Sequence, residues 1–139
     1  MTYVSAALRE QVIQRADVRC EYCQYPQDAA LFAFEMEHVI AEKHGGKTEL
    51  ENLALACPFC NRAKGTDLGS LDPESGMLTA FYNPRKDLWS DHFVLEGSLI
   101  RPLTAAGRVT VAILQLNSAD RIADRELLVK LGKFPQFVA

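Results

Sequence analysis

Apolar residues return at every fourth position near the N-terminus, and this spacing predicts an amphipathic helix. Leu8, Val12 and Ala16 form its apolar face, and Ser5 is placed to cap its first turn. We therefore expect a helix from about Ser5 to about Ala16.

Between residues 30 and 39 the period shortens to two, which predicts a strand. Gly45 and Gly46 permit a tight reversal, because glycine adopts positive φ angles without steric cost. A short returning strand follows, and Pro58 suits the first turn of a helix that Gly65 ends. The alternating positions are Phe32, Phe34, Met36 and His38 in the first strand and Leu53, Leu55 and Cys57 in the second.

The second half of the chain alternates between polar stretches and apolar elements. Residues 66–76 are rich in Asp, Gly, Ser and Pro and are predicted to form a surface loop. A hairpin is expected from Asp91 to Leu103, and Thr104 is placed to cap the helix that follows. The fold class is therefore predicted to be α+β. The inward positions predicted for the last two helices are Val109, Ile113 and Leu116, then Ile122, Leu127, Leu128 and Leu131.

Length and composition are those of one ordinary globular domain: 139 residues, 48% hydrophobic and 24% charged. We expect a single compact domain over residues 1–139. Within it, residues 1–66 form the first helix and the strand–turn–strand–helix unit, and residues 67–139 form an extension packed on that unit. Trp89 and Phe93, four residues apart, are expected to contribute to this packing.

The charge balance is mildly acidic, with a net charge of −3 and a pI near 5.6. This counts against a broad basic surface for nucleic-acid backbones, although a nuclease needs only a local positive field and a metal ion. No apolar run is long enough to cross a bilayer, and no signal-peptide pattern is visible. A cytoplasmic protein without membrane partners is the expectation.

Four cysteines form two C-x-x-C pairs, Cys20 with Cys23 and Cys57 with Cys60. Each turn directs two thiolates toward one ion, and two turns complete a sulfur tetrahedron with Zn–S distances of about 2.3 Å. The alternatives are redox-active or simply buried thiols. We expect a structural Zn²⁺, because four sulfurs leave no position for a reactive water.

Between the cysteine pairs lie residues suited to phosphodiester hydrolysis. An imidazole can accept a proton from water near neutral pH, and one oxygen-bound divalent cation can stabilise the developing charge and the leaving oxygen. Glu37 and His38 are adjacent, so on a regular strand they point to opposite faces. This arrangement suits one residue for the metal and the other for water.

These residues resemble the HNH endonucleases of the ββα-metal, or His-Me finger, class. The resemblance covers residues 20–66, less than half of the chain, and only the combination of its motifs is specific. Its motifs here are Glu37-His38, Gly45-Gly46, Asn52-Leu53 and Cys57-Pro58-Phe59-Cys60-Asn61-Arg62-Ala63-Lys64.

The resemblance implies that His38 is the general base and that Asn52 orients it, with Glu37 and Asn61 holding the catalytic metal. Many relatives have Asp at the position of Glu37 and His at that of Asn61. A carboxamide oxygen in place of imidazole favours a hard ion, Mg²⁺ or Mn²⁺.

Arg62 and Lys64 are candidate phosphate contacts, with solvated surface charges as the alternative. His38 also fits a core histidine, Asn52 a turn residue and Asn61 a helix cap.

The predicted function is a metal-dependent HNH endonuclease that hydrolyses DNA phosphodiester bonds, with RNA as an open alternative substrate. The competing hypothesis is a zinc-stabilised nucleic-acid-binding module that has lost catalysis. The departures at Glu37 and Asn61 and the acidic pI favour this second hypothesis. The two differ in whether nucleic acid is cut or only bound.

Overall fold

The helices and strands of the structure form an α+β fold. The structure, a computed structural model, describes residues 2–136, which contain five α-helices and three two-stranded antiparallel sheets. The predicted fold class is confirmed. In chain order the elements are α1 (Ala6–Arg15), β1 (Glu35–His38), β2 (Leu53–Ala56), α2 (Pro58–Lys64), β3 (Gly69–Leu71), β4 (Leu78–Ala80), α3 (Trp89–His92), β5 (Phe93–Glu96), β6 (Leu99–Pro102), α4 (Ala105–Ile113) and α5 (Ala119–Lys130).

Helix α1 forms where the four-residue period placed it. The Ser5 hydroxyl accepts the backbone N–H three residues further on at 3.1 Å, which satisfies a donor of the first turn. Val12 is fully buried on the inner face. At the other end Arg15 donates to the carbonyls of Leu50 and Leu53. Helix α1 is thereby fixed to the start of β2.

Strands β1 and β2 form the antiparallel ribbon that carries the central motifs, with Glu35 opposite Ala56 and His38 opposite Leu53. All four residues of β2 are buried. Strand β1 is shorter than the stretch 30–39 predicted from its alternation. The Gln27 side chain accepts a hydrogen bond from the Phe34 backbone N–H at 2.9 Å. The chain just before Glu35 is therefore bonded to the preceding loop and not to the sheet.

The loop predicted for residues 66–76 was wrong in part, because it contains strand β3. Gly69 makes the pairing with β4 possible: a Cβ there would lie 2.2 Å from the Thr79 carbonyl oxygen. The buried Asp72 then accepts the backbone N–H groups of Glu74 and Ser75, which closes the turn. The polar residues of this stretch build a hairpin and leave no open loop.

The hairpin predicted from Asp91 to Leu103 is confirmed as β5 and β6, preceded by the short helix α3. The rings of Trp89 and Phe93 lie 4.9 Å apart, centroid to centroid. The Trp89 indole N–H donates to the Tyr22 carbonyl at 2.8 Å. Arg85 contacts the Glu21 carboxylate and the Leu53 carbonyl. These contacts join the C-terminal extension to the first cysteine turn and to β2.

Helix α4 starts at the predicted cap, where the Thr104 hydroxyl accepts the Gly107 N–H at 3.0 Å. For α5 the predicted inward positions were largely wrong. Leu127 and Leu131 are each 58% exposed, and α5 instead turns Arg121 and Arg125 inward together with Leu128. The physical reason is that the two guanidinium groups donate hydrogen bonds to carbonyl and sulfur atoms in the interior.

None of the helices found between residues 2 and 136 combines the length and hydropathy of a membrane span.

Candidate metal centre and catalytic cleft

The two cysteine turns meet in the interior, between α1 and the start of α2. The four thiols are free and buried, and their sulfurs all lie within 4.8 Å of one another. Cys23 Sγ and Cys57 Sγ are 3.8 Å apart. A tetrahedron with metal–sulfur bonds of about 2.3 Å has edges of about 3.8 Å, so the cluster has the size that Zn²⁺ requires. The cysteines therefore form a cluster that can hold zinc, as expected.

Three donors surround this cluster and favour the thiolate form of its sulfurs. The Cys60 N–H points at Cys57 Sγ at 3.4 Å, and the Cys23 N–H at Cys20 Sγ at 3.5 Å. From α5, Arg121 donates to Cys60 Sγ at 3.0 Å. The neighbouring thiols, Cys20 foremost, lower the pKa of Cys23, and the Arg121 guanidinium adds to that effect, whereas burial raises the pKa of Cys20 and Cys60.

Glu37 lies in the interior on the face of β1 that α2 covers. Its carboxylate forms an ion pair with Lys64 at 2.6 Å and accepts the Tyr22 hydroxyl at 2.7 Å. Burial raises the pKa of Glu37, and the Lys64 ammonium and Tyr22 hydroxyl act in the opposite direction. Lys64 also donates to the Val39 carbonyl at 3.0 Å. The Lys64 ammonium is thus fully engaged inside the protein.

His38 lies at the end of β1 with a polar surrounding. Its Nε2 is 2.8 Å from the Thr48 hydroxyl and 3.3 Å from Glu42 Oε1. The Thr48 hydroxyl is in turn 3.2 Å from the same Glu42 oxygen. The His38 side chain is 17% exposed, so one edge of the ring is accessible. It contacts polar partners and is not packed as a core residue.

Asn52 is buried at the start of β2 and holds the loop that leaves β1. Its carboxamide accepts the Ile40 N–H and donates to the carbonyls of Ile40 and Lys47, each at 2.9 Å. Gly46 passes so close that a Cβ there would lie 1.6 Å from the Ile40 carbonyl oxygen. Among the described contacts, the Asn52 side chain therefore makes no direct bond to His38. It holds the backbone of the loop that follows His38.

Asn61 lies one helical turn before Lys64 on α2 and contacts the carboxylate of Glu35. The described contacts do not join Asn61 to Glu37. Asn61 contacts Glu35, whereas Glu37 is paired with Lys64. Arg62 is exposed on the same helix.

A cleft of 860 Å³ is lined by His38, Asn61 and the carboxylates of Glu35, Glu37 and Glu42, and we call it the β1–α2 cleft. Residues of β1 and α2 form part of its lining, and the N-terminal segment and α1 contribute another part, which we call the N-terminal wall. Its polar lining side chains are Thr2, Tyr3, Arg9, Glu35, Glu37, His38, Glu42, Asn61 and Thr66. The cleft brings His38 and Asn61 to one solvent-accessible space, while Asn52 stays outside it.

Three contributing residues were missed in the sequence. Tyr22 lies inside the first C-x-x-C pair, so its position next to the metal centre was visible, although its bond to Glu37 was not. Thr48 carries no local signal, because only the loop path brings it to His38. Arg121 was missed because helical periodicity favours leucines as the inward residues of the last helix.

A strand–strand–helix unit with a four-sulfur cluster and a histidine in the adjoining cleft is the arrangement that the resemblance to the ββα-metal class predicted. Residues 20–67 match the HNH endonuclease family, which confirms the resemblance of the motifs for this part of the chain.

One relative is Septu protein PtuB from Bacillus thuringiensis, 26% identical over 129 residues. The alignment covers 91% of this chain and 46% of that protein, so the chain spans about half the length of the relative it matches. No solved structure matches the chain significantly.

Proposed function

We propose that this protein is an HNH-type endonuclease that hydrolyses DNA phosphodiester bonds, with His38 as general base and one divalent cation at the scissile phosphate. The observation that supports it best is the environment of His38. The ring is anchored by Thr48 and Glu42 and lines a cleft that Asn61 shares.

In this proposal the contacts of His38 favour Nδ1 as the nitrogen that acts as the base. The Thr48 hydroxyl donates its one hydrogen bond to Glu42, so it accepts a hydrogen bond from the N–H at His38 Nε2. Nε2 is then the protonated nitrogen, and Nδ1 keeps the lone pair. Nδ1 is the atom that takes a proton from the attacking water, and Glu42 stabilises the imidazolium that results.

Asn52 contributes to this geometry indirectly. It fixes the loop that begins at Ile40 and runs to Lys47, and this loop places Glu42 beside the ring. In this proposal Asn52 orients His38 by holding the partner of the ring in place.

Asn61, Glu37 and Glu35 are the residues that would hold the divalent cation. Their donors are oxygen atoms, which suit Mg²⁺ or Mn²⁺. Glu35 already contacts Asn61, whereas Glu37 takes part only if its carboxylate exchanges Lys64 for the cation. When bound, the cation supplies charge stabilisation for the phosphate and the leaving oxygen.

The cysteine cluster is proposed to hold Zn²⁺ in a structural role. Four sulfurs complete its coordination, so its contribution is to fix the β1–β2 ribbon and α2 relative to one another.

Incubation of supercoiled plasmid with the zinc-loaded protein and a panel of Mg²⁺, Mn²⁺ and Ca²⁺ tests the proposal. We expect nicked or linear product with Mg²⁺ or Mn²⁺ and at least 100-fold slower cleavage by His38→Ala, the range of a general base. His44→Ala is the matched control, because His44 bonds the Thr66 carbonyl and does not line the cleft.

A binding module without catalysis is the second candidate, and the buried Glu37–Lys64 pair is the observation that favours it. This candidate predicts salt-dependent binding of DNA without cleavage under any metal. Equal product from wild type and His38→Ala would contradict the endonuclease proposal.

A further inference from the structure

A nuclease cleft needs a positively charged side chain that binds the phosphate backbone. The sequence motifs placed the candidates for this role, Arg62 and Lys64, on α2. Lys64, however, is buried and paired with Glu37. Arg62 is exposed on α2 and does not line the β1–α2 cleft. Among the residues that line this cleft, Lys64 is absent and Arg9 is the only lysine or arginine.

Arg9 is exposed on α1 and lines the same cleft as the motif residues. Val12 occupies the buried face of the same helix. Within residues 2–136, no ion pair engages the Arg9 guanidinium, in contrast to Arg85 and Arg108, which pair with Glu21 and Asp72. Its five N–H donors are therefore available to a ligand.

The N-terminal segment before α1 is held against the same cleft. A hydrogen bond from the Thr2 side chain lowers the pKa of the Glu42 carboxyl, the group that contacts His38. Tyr3 follows directly and is 81% exposed at the cleft wall. A cation and an aromatic ring thus line the same cleft as His38.

Building on the proposed function, we infer that Arg9 is the phosphate-binding residue of the cleft and that Tyr3 stacks on a base or sugar of the same strand. A guanidinium binds phosphate oxygens through paired N–H donors, and aromatic faces stack on any base. Arg9 also offsets the carboxylates of Glu35 and Glu42, which would otherwise repel the backbone. The N-terminal wall is thereby a nucleic-acid-binding surface outside the family motifs.

Binding of a fluorescent oligonucleotide tests this, measured by anisotropy at several salt concentrations without added divalent metal. The measurements use a His38→Ala background, so that no strand is cut. We expect Arg9→Gln to weaken binding about tenfold at low salt and to reduce the slope of log K against log salt by about one. Arg9→Lys keeps the charge and should lose less.

Lys130→Gln is the matched control, because it removes one positive charge from an exposed site on α5 that does not line the cleft. It should leave both affinity and slope unchanged. Tyr3→Ala should weaken binding of a single strand more than binding of a duplex, since unpaired bases are free to stack.

The outcomes separate this inference from the proposed function. Tight binding weakened by Arg9→Gln, with no cleavage by the His38-containing protein, supports the surface and overturns the nuclease. Cleavage together with unchanged affinity and slope in Arg9→Gln overturns the surface alone. Absence of any nucleic-acid binding overturns both.

Discussion

Glu37 and Lys64 form an ion pair that is almost completely shielded from water. Removing two charges from water is costly, and the pair recovers that cost through three additional contacts, the Tyr22 hydroxyl and the carbonyls of His38 and Val39. The pair therefore fixes α2 against the end of β1, next to the proposed base. Removal of only one partner leaves the other charge buried and unpaired.

Lys64→Met tests this at the level of the residue. We expect it to lower the free energy of unfolding by about 3–5 kcal/mol, because the Glu37 carboxylate is left buried without its cation. The double variant Glu37→Gln with Lys64→Met should lose less than the sum of the two single variants. Urea unfolding of the zinc-loaded proteins measures all three, and strictly additive losses would contradict the pairing.

A second ion pair predicts a pH dependence of stability. Arg108 donates to both oxygens of Asp72 at 2.9 Å and holds the pKa of that carboxyl well below its usual range. A carboxyl with a lowered folded-state pKa stabilises the fold above its unfolded value of about 3.9 and loses that contribution as the pH falls.

Arg108→Gln should accordingly melt at a lower temperature than wild type near neutral pH, and the difference should shrink as the pH falls below about 4. Thermal melts followed by circular dichroism at a series of pH values measure this. A difference that stays constant down to about pH 2 would show that the Asp72 carboxylate is not the group responsible.

At the scale of elements, two helix starts that look alike in sequence differ in structure. The Thr104 hydroxyl accepts the Gly107 N–H and contacts His92 Nδ1 at 2.6 Å. Ser118 has the same position before α5, but its side chain makes no capping bond. The sequence alone does not separate these two cases.

We therefore expect Thr104→Ala to destabilise the protein by about 1 kcal/mol, a typical loss for a cap. Ser118→Ala is the matched control and should change stability by less than about 0.5 kcal/mol, as for a surface substitution. Denaturant unfolding compares the two variants. Equal losses would mean that the Thr104 bond does not determine the start of α4.

The elements that the sequence predicted correctly are those with a strong local signal. Helix α1 and the β5–β6 hairpin follow from a period or a turn residue, and helix α2 begins at Pro58 and ends before Gly65 as predicted. Tertiary contacts do not override these local signals. The errors arose where long-range contacts decide. Strand β3 depends on the partner across Gly69, and the orientation of α5 depends on Arg121 reaching the sulfurs.

The same distinction applies to the candidate site. The cysteine cluster follows from spacing, because each C-x-x-C turn is local and the sulfurs are found together. Most partners of His38 and Glu37 are distant in sequence: Thr48 lies ten residues from His38, and Tyr22 and Lys64 lie further still from Glu37, so no period indicates them. The roles assigned to Glu37, His38, Asn52 and Asn61 stay predictions, of which the His38 variants address one directly.

At the scale of the whole molecule, the cysteine cluster links the two parts of the chain. Arg121 reaches its sulfurs from α5, and Trp89 bonds the Tyr22 carbonyl inside the first cysteine turn. We propose on this basis that residues 1–139 fold as one domain, with the zinc site at the junction of the N-terminal unit and the extension.

Zinc removal should then destabilise the extension together with the core. Mass spectrometry under native conditions should find one Zn²⁺ per chain, and a strong chelator should convert one cooperative melting transition into a transition at much lower temperature. Trp89 fluorescence and far-UV circular dichroism should change together. A Trp89 transition that does not respond to chelation would contradict the single domain.

The central claim is that an imidazole at position 38 takes a proton from the attacking water, and chemical rescue tests it most directly. We expect zinc-loaded His38→Gly to cut plasmid at least 100-fold more slowly than wild type with Mn²⁺, and free imidazole to restore part of the rate. His44→Gly should cut at the wild-type rate with or without imidazole. Cleavage by His38→Gly as fast as by wild type would contradict the account.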